Sequence, residues 1–252
     1  MRRFDDREKA FDLNEKGIDF YMLEKYAESI SCFDEAIRLD PKFSDAHHNK
    51  GKSLHLLEKH DEAIACYDEA IRLDPEFSDV VFFKGMILHE SEKYDEAIAC
   101  YDEAIELDPE DEDMLYMKGR ALHGLEKYDE AIACYDEAIE LDPENKYPLY
   151  HKGRALHESE KYDEAIACYD EAIELDPEDA DVVFYKGDTL HELEKYDEAI
   201  ACYNEAIELD PEFSEAHHNK GVTLLELERY DEAIACYDEA LRLDPEDADV
   251  SK

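Results

Sequence analysis

The stretch YDEAIACYDEAIELDP, Tyr128–Pro143, places Ala131, Ile132, Tyr135, Ala138, Ile139 and Leu141 at three- and four-residue steps. That spacing predicts a helix with one apolar stripe. Asp129 and Glu130 fall in its first turn, where acids favour the helix dipole. Pro143 ends it, because the residue before a proline avoids helical geometry. The preceding stretch, MLYMKGRALHGL from Met114 to Leu125, predicts a companion helix. Gly119 lies inside that helix at a cost of about 1 kcal/mol relative to alanine. It is therefore read as a close-packing point between the two helices.

The same pair of helices is written again and again. Glycine recurs at Gly17, Gly51, Gly85, Gly119, Gly153, Gly187 and Gly221, and proline at Pro41, Pro75, Pro109, Pro143, Pro177, Pro211 and Pro245. Both spacings are 34 residues, and only Gly124 and Pro148 stand outside these columns. The text EKYDEAIACYDEAIELDPE stands unchanged at Glu92–Glu110, Glu126–Glu144 and Glu160–Glu178. Seven units follow: 10–43, 44–77, 78–111, 112–145, 146–179, 180–213 and 214–247. A fixed period of this length predicts one all-α array in which each unit packs only on its neighbours. Residues 1–9 read as a lead-in, and 248–252 as the truncated start of a further repeat or a tail. No polar capping helix is written at either end, which leaves end-to-end self-association as a second expectation.

Charge narrows the function classes. The chain has 71 acidic against 27 basic residues, a formal net charge of −44. Such a surface repels nucleic-acid phosphates and anionic membranes. The apolar residues, 44% of the chain and regularly spaced, favour folding over disorder. No apolar run is long enough to span a bilayer, and MRRFDDREK carries no secretory signal. Seven cysteines, one per unit from Cys32 to Cys236, give no close pair for zinc and no closed disulfide framework. They read as packing, and the surrounding acids should raise their thiol pKa values. A reducing, cytoplasmic setting is expected.

The columns resemble the tetratricopeptide repeat family. One unit supplies Gly119, Leu122, Ala131, Tyr135, Ala138 and Pro143, and the others match except that Ser29 replaces alanine in the first. The resemblance covers residues 10–247. Departures are Leu13, His47, Val81, Leu115, Leu149, Val183 and His217 in the family's Trp column, and a lysine before every repeated glycine. The resemblance implies a right-handed α-solenoid of seven stacked helix-turn-helix units. Its first helices would line a concave groove that binds an extended peptide segment of a protein partner.

Second-helix text is nearly constant and first-helix text varies, which points to the groove as the surface that reads a ligand. Groove positions implied by the resemblance carry Phe82, Met86, Tyr116, Arg120, His123, Tyr147, Tyr150, Arg154, His157 and Phe184. Aromatic rings offer contact area, and arginine can fork onto a carboxylate or stack on a ring. Packing between adjacent first helices is the competing role for each aromatic; the two arginines are harder to place as packing. Groove acids Asp45, Asp79, Glu90, Asp113, Glu158, Asp181, Asp188, Glu192, Glu215 and Glu226 outnumber Lys52, Arg120 and Arg154, so a basic or neutral partner is expected. The family's carboxylate clamp is not matched: Asn14 and Asn49 are present, but Ile18, Phe83 and Asp113 stand where it needs polar or basic groups.

His55, His89, His123, His157 and His191 share one column. Adjacent repeats lie on the order of 10 Å apart, too far for these five to converge on one ion, so no metal is expected. Each histidine is expected to hydrogen-bond an acid on the next unit. The acidic field should hold the protonated forms above their reference pKa of about 6.5, giving binding that changes between about pH 5.5 and 7.5. Neither GxSxG, HExxH nor a phosphate loop is written, so no enzyme and no cofactor is expected.

Overall fold

The computed structural model describes residues 2–245, with side chains from Asp6 onward. The expectation for 248–252 lies outside the described residues. Fourteen α-helices and no strand are present among the described residues. They gather into two compact units that divide between Leu125 and Glu126.

The first unit holds α1 (Arg2–Met22), α2 (Tyr26–Leu39), α3 (Ser44–His55), α4 (His60–Leu73), α5 (Ser78–Glu90), α6 (Tyr94–Leu107) and α7 (Glu112–Gly124). The second holds α8 (Tyr128–Leu141), α9 (Lys146–Glu158), α10 (Tyr162–Leu175), α11 (Ala180–Glu192), α12 (Tyr196–Leu209), α13 (Ser214–Glu226) and α14 (Tyr230–Leu243). The first helix begins at Arg2, so the residues read as a lead-in continue it without a break. Within each unit, helices pack on their chain neighbours and on the equivalent helix one period away: α1 on α3 and α3 on α5 in the first, α9 on α11 and α11 on α13 in the second.

Second helices bury one stripe. In α8 the buried residues are Ala131, Cys134, Tyr135 and Ala138, at steps of three, four and seven. Leu141 does not join them: it is the last helical residue before the Asp142–Pro143 turn and is 43% exposed. The first-helix glycines face the aromatic of the stripe. A Cβ placed on Gly51 would stand 2.5 Å from Tyr67, and one on Gly153 would stand 2.5 Å from Tyr169. Phe33, Tyr67 and Tyr101 in the first unit, and Tyr169 and Tyr203 in the second, are fully buried where a glycine approaches. Each such ring contributes about 1.5–3 kcal/mol of burial.

Two turns close each period. Between first and second helix the chain reverses through a glutamate with positive φ, from Glu24 at 58° to Glu160 at 61°. A side chain in this left-handed region costs about 1–2 kcal/mol, and nothing in the glutamate itself signals the turn. Between second and first helix, the LDPE text forms an Asx turn: Asp142 Oδ1 accepts from the Glu144 N–H at 3.0 Å, and Asp176 Oδ1 from the Glu178 N–H at 3.2 Å.

The repeated lysine before each glycine reaches back sixteen residues to a second-helix aspartate. Lys50–Asp34 is 2.7 Å, Lys84–Asp68 2.6 Å, Lys118–Asp102 2.7 Å, Lys152–Asp136 2.6 Å and Lys186–Asp170 2.5 Å. Each partly exposed pair contributes about 0–1 kcal/mol, and together they offset some of the acidic self-repulsion. At Lys220 the matching residue is Asn204.

All seven cysteines are buried and unpaired by disulfides. Burial is the main cause that pushes thiols such as Cys168 and Cys202 up to about 11, with neighbouring acids adding to it and a lysine opposing it. The acids act in the expected upward direction, second to desolvation.

Gly153→Ala should lower the melting temperature. Overpacking against a buried ring costs about 1–3 kcal/mol, which outweighs a helix-propensity gain of about 1 kcal/mol. Tyr67→Phe should leave stability unchanged or raise it. The Tyr67 hydroxyl is buried without a partner, and Phe33 already fills the same column. Thermal unfolding by circular dichroism checks both.

Candidate functional site

In the first unit, Phe82 and Met86 on α5 and Tyr116 on α7 are half-buried against a core that includes Val81, Tyr101 and Met114. The Phe82 ring lies 5.8 Å from that of Tyr101. Arg120 is placed over the Tyr116 ring at 5.8 Å, with its guanidinium 3.7 Å from the Met117 sulfur. His123 is half-buried on the same helix. Lys52 lies over Tyr21 at 5.4 Å and Phe83 at 5.0 Å. Asn49 donates to Asn14 at 3.2 Å, and Asn14 is buried, so the two asparagines satisfy each other.

In the second unit, Tyr150 on α9 meets Tyr185 on α11 edge to face at 5.5 Å. Arg154 lies over Tyr185 at 5.0 Å and Tyr150 at 5.9 Å, with Glu158 3.7 Å away. The arginines thus have a packing role, as covers for tyrosine rings. Tyr147 is 57% exposed, with Lys146 at 5.5 Å from its ring. Phe184, expected at the groove surface, is only 7% exposed. Phe213, the residue before α13, stacks on it at 4.8 Å, and Tyr203 closes the other approach at 5.9 Å. Tyr185, the neighbouring residue, holds the position by Arg154 that the sequence reading gave to Phe184.

Among the column histidines, His89 departs from the expected raised pKa. Burial holds His89 below its ordinary pKa, with Arg120 adding to the effect, and burial lowers His48 to about 4. His47 and His217 are lowered for the same leading reason. Desolvation outweighs the acidic field at these positions. Of the column, His55 meets an acid, Glu90, at 2.7 Å. His157 and His191 bond threonines instead, Thr189 at 2.9 Å and Thr223 at 2.8 Å.

Those threonines organise a concavity of about 220 Å³ in the second unit, lined by His157, Asp188, His191, Glu192, Tyr203 and Asn219 among others. Thr189 donates its hydroxyl proton to the Tyr185 carbonyl, and Thr223 donates to that of Asn219, each at 2.8 Å. Each threonine oxygen is thereby left to accept from the histidine Nδ1 that faces it. Tyr203 and Asn219 each donate to Asp188 Oδ1 at 2.8 Å. The other Asp188 carboxylate oxygen and the Glu192 carboxylate remain as acceptors beside the two histidines. Burial raises the Asp188 pKa, while Asn219, Tyr203, His157 and His191 pull it down.

Asp188 was one among ten groove acids in the sequence. The signal that separates it is its column, which otherwise holds Ile18, Lys52, Met86, Arg120, Arg154 and Val222. It is the single acid there.

A tetratricopeptide repeat profile matches residues 84–146, 150–212 and 192–248, and two further profiles of that description match 44–77 and 23–43. YrrB, described as a TPR protein with an unusual peptide-binding site, is 26% identical with a TM-score of 0.64, over 75% of this chain and 97% of YrrB. A tetratricopeptide repeat protein from Parabacteroides merdae is 18% identical with a TM-score of 0.74 over 94% of each chain. The C-terminal part of a repeat-containing protein from Cytophaga hutchinsonii is 18% identical with a TM-score of 0.76, over 92% of this chain and 95% of that one. The last two likenesses concern the fold alone. No curated protein sequence matches the chain.

Asp188→Asn should stabilise the chain near neutral pH. A carboxyl whose folded pKa is raised loses stability as pH rises from its unfolded value, about 3.9, through the folded one. The variant's advantage should therefore appear across that window, persist above it and vanish below it, as read from urea midpoints across pH.

Proposed function

Since this chain belongs to the tetratricopeptide repeat family, we propose that it is a non-enzymatic interaction scaffold whose first helices receive an extended, basic or neutral peptide segment of a protein partner. One observation carries the reading: the pocket lined by Asp188 and Glu192, in which burial makes the Asp188 carboxylate costly to ionise. A cationic side chain entering there would restore the favourable interaction that water gives an exposed carboxylate. The net charge of −44 supports the same choice, because it steers cations toward the surface. The peptide-binding site described for YrrB supports a peptide as the occupant. Arg120 and Arg154 act as ring covers in this reading, not as anchors for the partner.

A second reading, self-association through α14, is favoured by Ile234. It is 57% exposed, whereas its counterparts Ile30, Ile64, Ile98, Ile132 and Ile166 are half-buried. A molar mass by light scattering that grows with concentration supports that reading, and a constant monomer mass excludes it.

Fluorescence anisotropy tests the first reading with two labelled extended peptides, one carrying arginines and one with glutamines in their place. The arginine peptide should bind more tightly, and less so as salt rises. Asp188→Asn should weaken it at least about tenfold, or roughly 1.4 kcal/mol, while Arg154→Ala changes it little. Equal affinity for both peptides would overturn the proposal.

A further inference from the structure

The column histidine of a first helix meets an aromatic ring five residues on, at the start of the second helix. His89–Tyr94 is 5.3 Å, His157–Tyr162 5.4 Å and His191–Tyr196 5.3 Å between ring centres. In the second unit an acid from the next first helix joins each pair. Burial, then Glu192, raises the Tyr162 phenol, and burial, then Glu226, raises that of Tyr196. A first-helix glutamate thus acts electrostatically on the tyrosine of each of these two pairs.

The second period alters one corner. His60 stands where the others have Tyr26, Tyr94, Tyr128, Tyr162, Tyr196 and Tyr230. The rings of His55 and His60 are 5.7 Å apart, and His55 Nε2 is 2.7 Å from Glu90 Oε2. One ligating atom from each of His55, His60 and Glu90 lies within 4.8 Å of the other two. Nδ1 of His60 is buried and has no hydrogen-bond partner.

We propose that His55, His60 and Glu90 form a binding site for a divalent transition-metal ion of the zinc type. Two imidazoles and one carboxylate suit zinc, cobalt, nickel or copper better than magnesium or calcium, which prefer all-oxygen sets. Zinc ligands lie about 2.0–2.2 Å from the ion, so the His55–Glu90 pair at 2.7 Å must open to admit it. The side chains of His55 and Glu90 are 18% and 45% exposed, which admits water as a fourth ligand. The ion joins α3 and α4 to α5, a link between the second and third periods. The column histidines by themselves lie too far apart; the off-column His60 brings the second nitrogen within reach.

Cobalt(II) titration of the full chain, followed by visible d–d absorption with excess magnesium to occupy surface carboxylates, tests the site. The wild type should take up one cobalt with these bands, and zinc should raise its melting temperature. His60→Tyr restores the residue of the other six periods and should fold, with metal affinity lower by at least about tenfold and no zinc-dependent rise. Glu90→Gln should weaken binding in the same direction. A His60→Tyr chain with wild-type bands and stoichiometry would overturn the proposal, as would a wild type without bands.

Discussion

The close approach of a first-helix glycine to a buried second-helix ring sets the spacing on which the rest of the structure depends. A Cβ at Gly51 or Gly153 has no room beside Tyr67 or Tyr169. With that distance fixed, the alanines and cysteine of each second helix pack at steps of three and four. A solution so tightly constrained is economical to reuse, which explains why second-helix text is nearly invariant. First-helix residues off this contact face fewer demands, and the chain varies there.

Electrostatics follows the same division. The lysine–aspartate pairs, repeated at a separation of sixteen residues, belong to the frame and tie α3, α5, α7, α9 and α11 to the second helix that precedes each. Asp188 has a different character. It sits in a column of cations and apolar residues, half-covered, held by Tyr203 and Asn219, and burial disfavours its charge. A carboxylate kept at a cost to stability is better accounted for by a ligand than by packing.

The fold was legible because period, glycine and proline columns act through local, strong constraints. What was not legible depends on neighbours. Leu141 matched the apolar spacing but ends its helix, and Phe184 matched a groove position but lies under Phe213. Arg154 looked like a ligand contact until Tyr185 was placed beside it. The glutamates with positive φ carry no sequence signal at all. The site residues that stand out, Asp188 and His60, do so as departures within their columns rather than as recognisable motifs.

The central claim is that Asp188 is held for a cation. Carbon-13 NMR of its carboxyl, assigned by comparison with Asp188→Asn, measures this directly in the free chain and with the arginine peptide bound. The account predicts a midpoint above the ordinary carboxylate range in the free chain, drawn down when the peptide binds. A midpoint that the bound peptide leaves unmoved would contradict it.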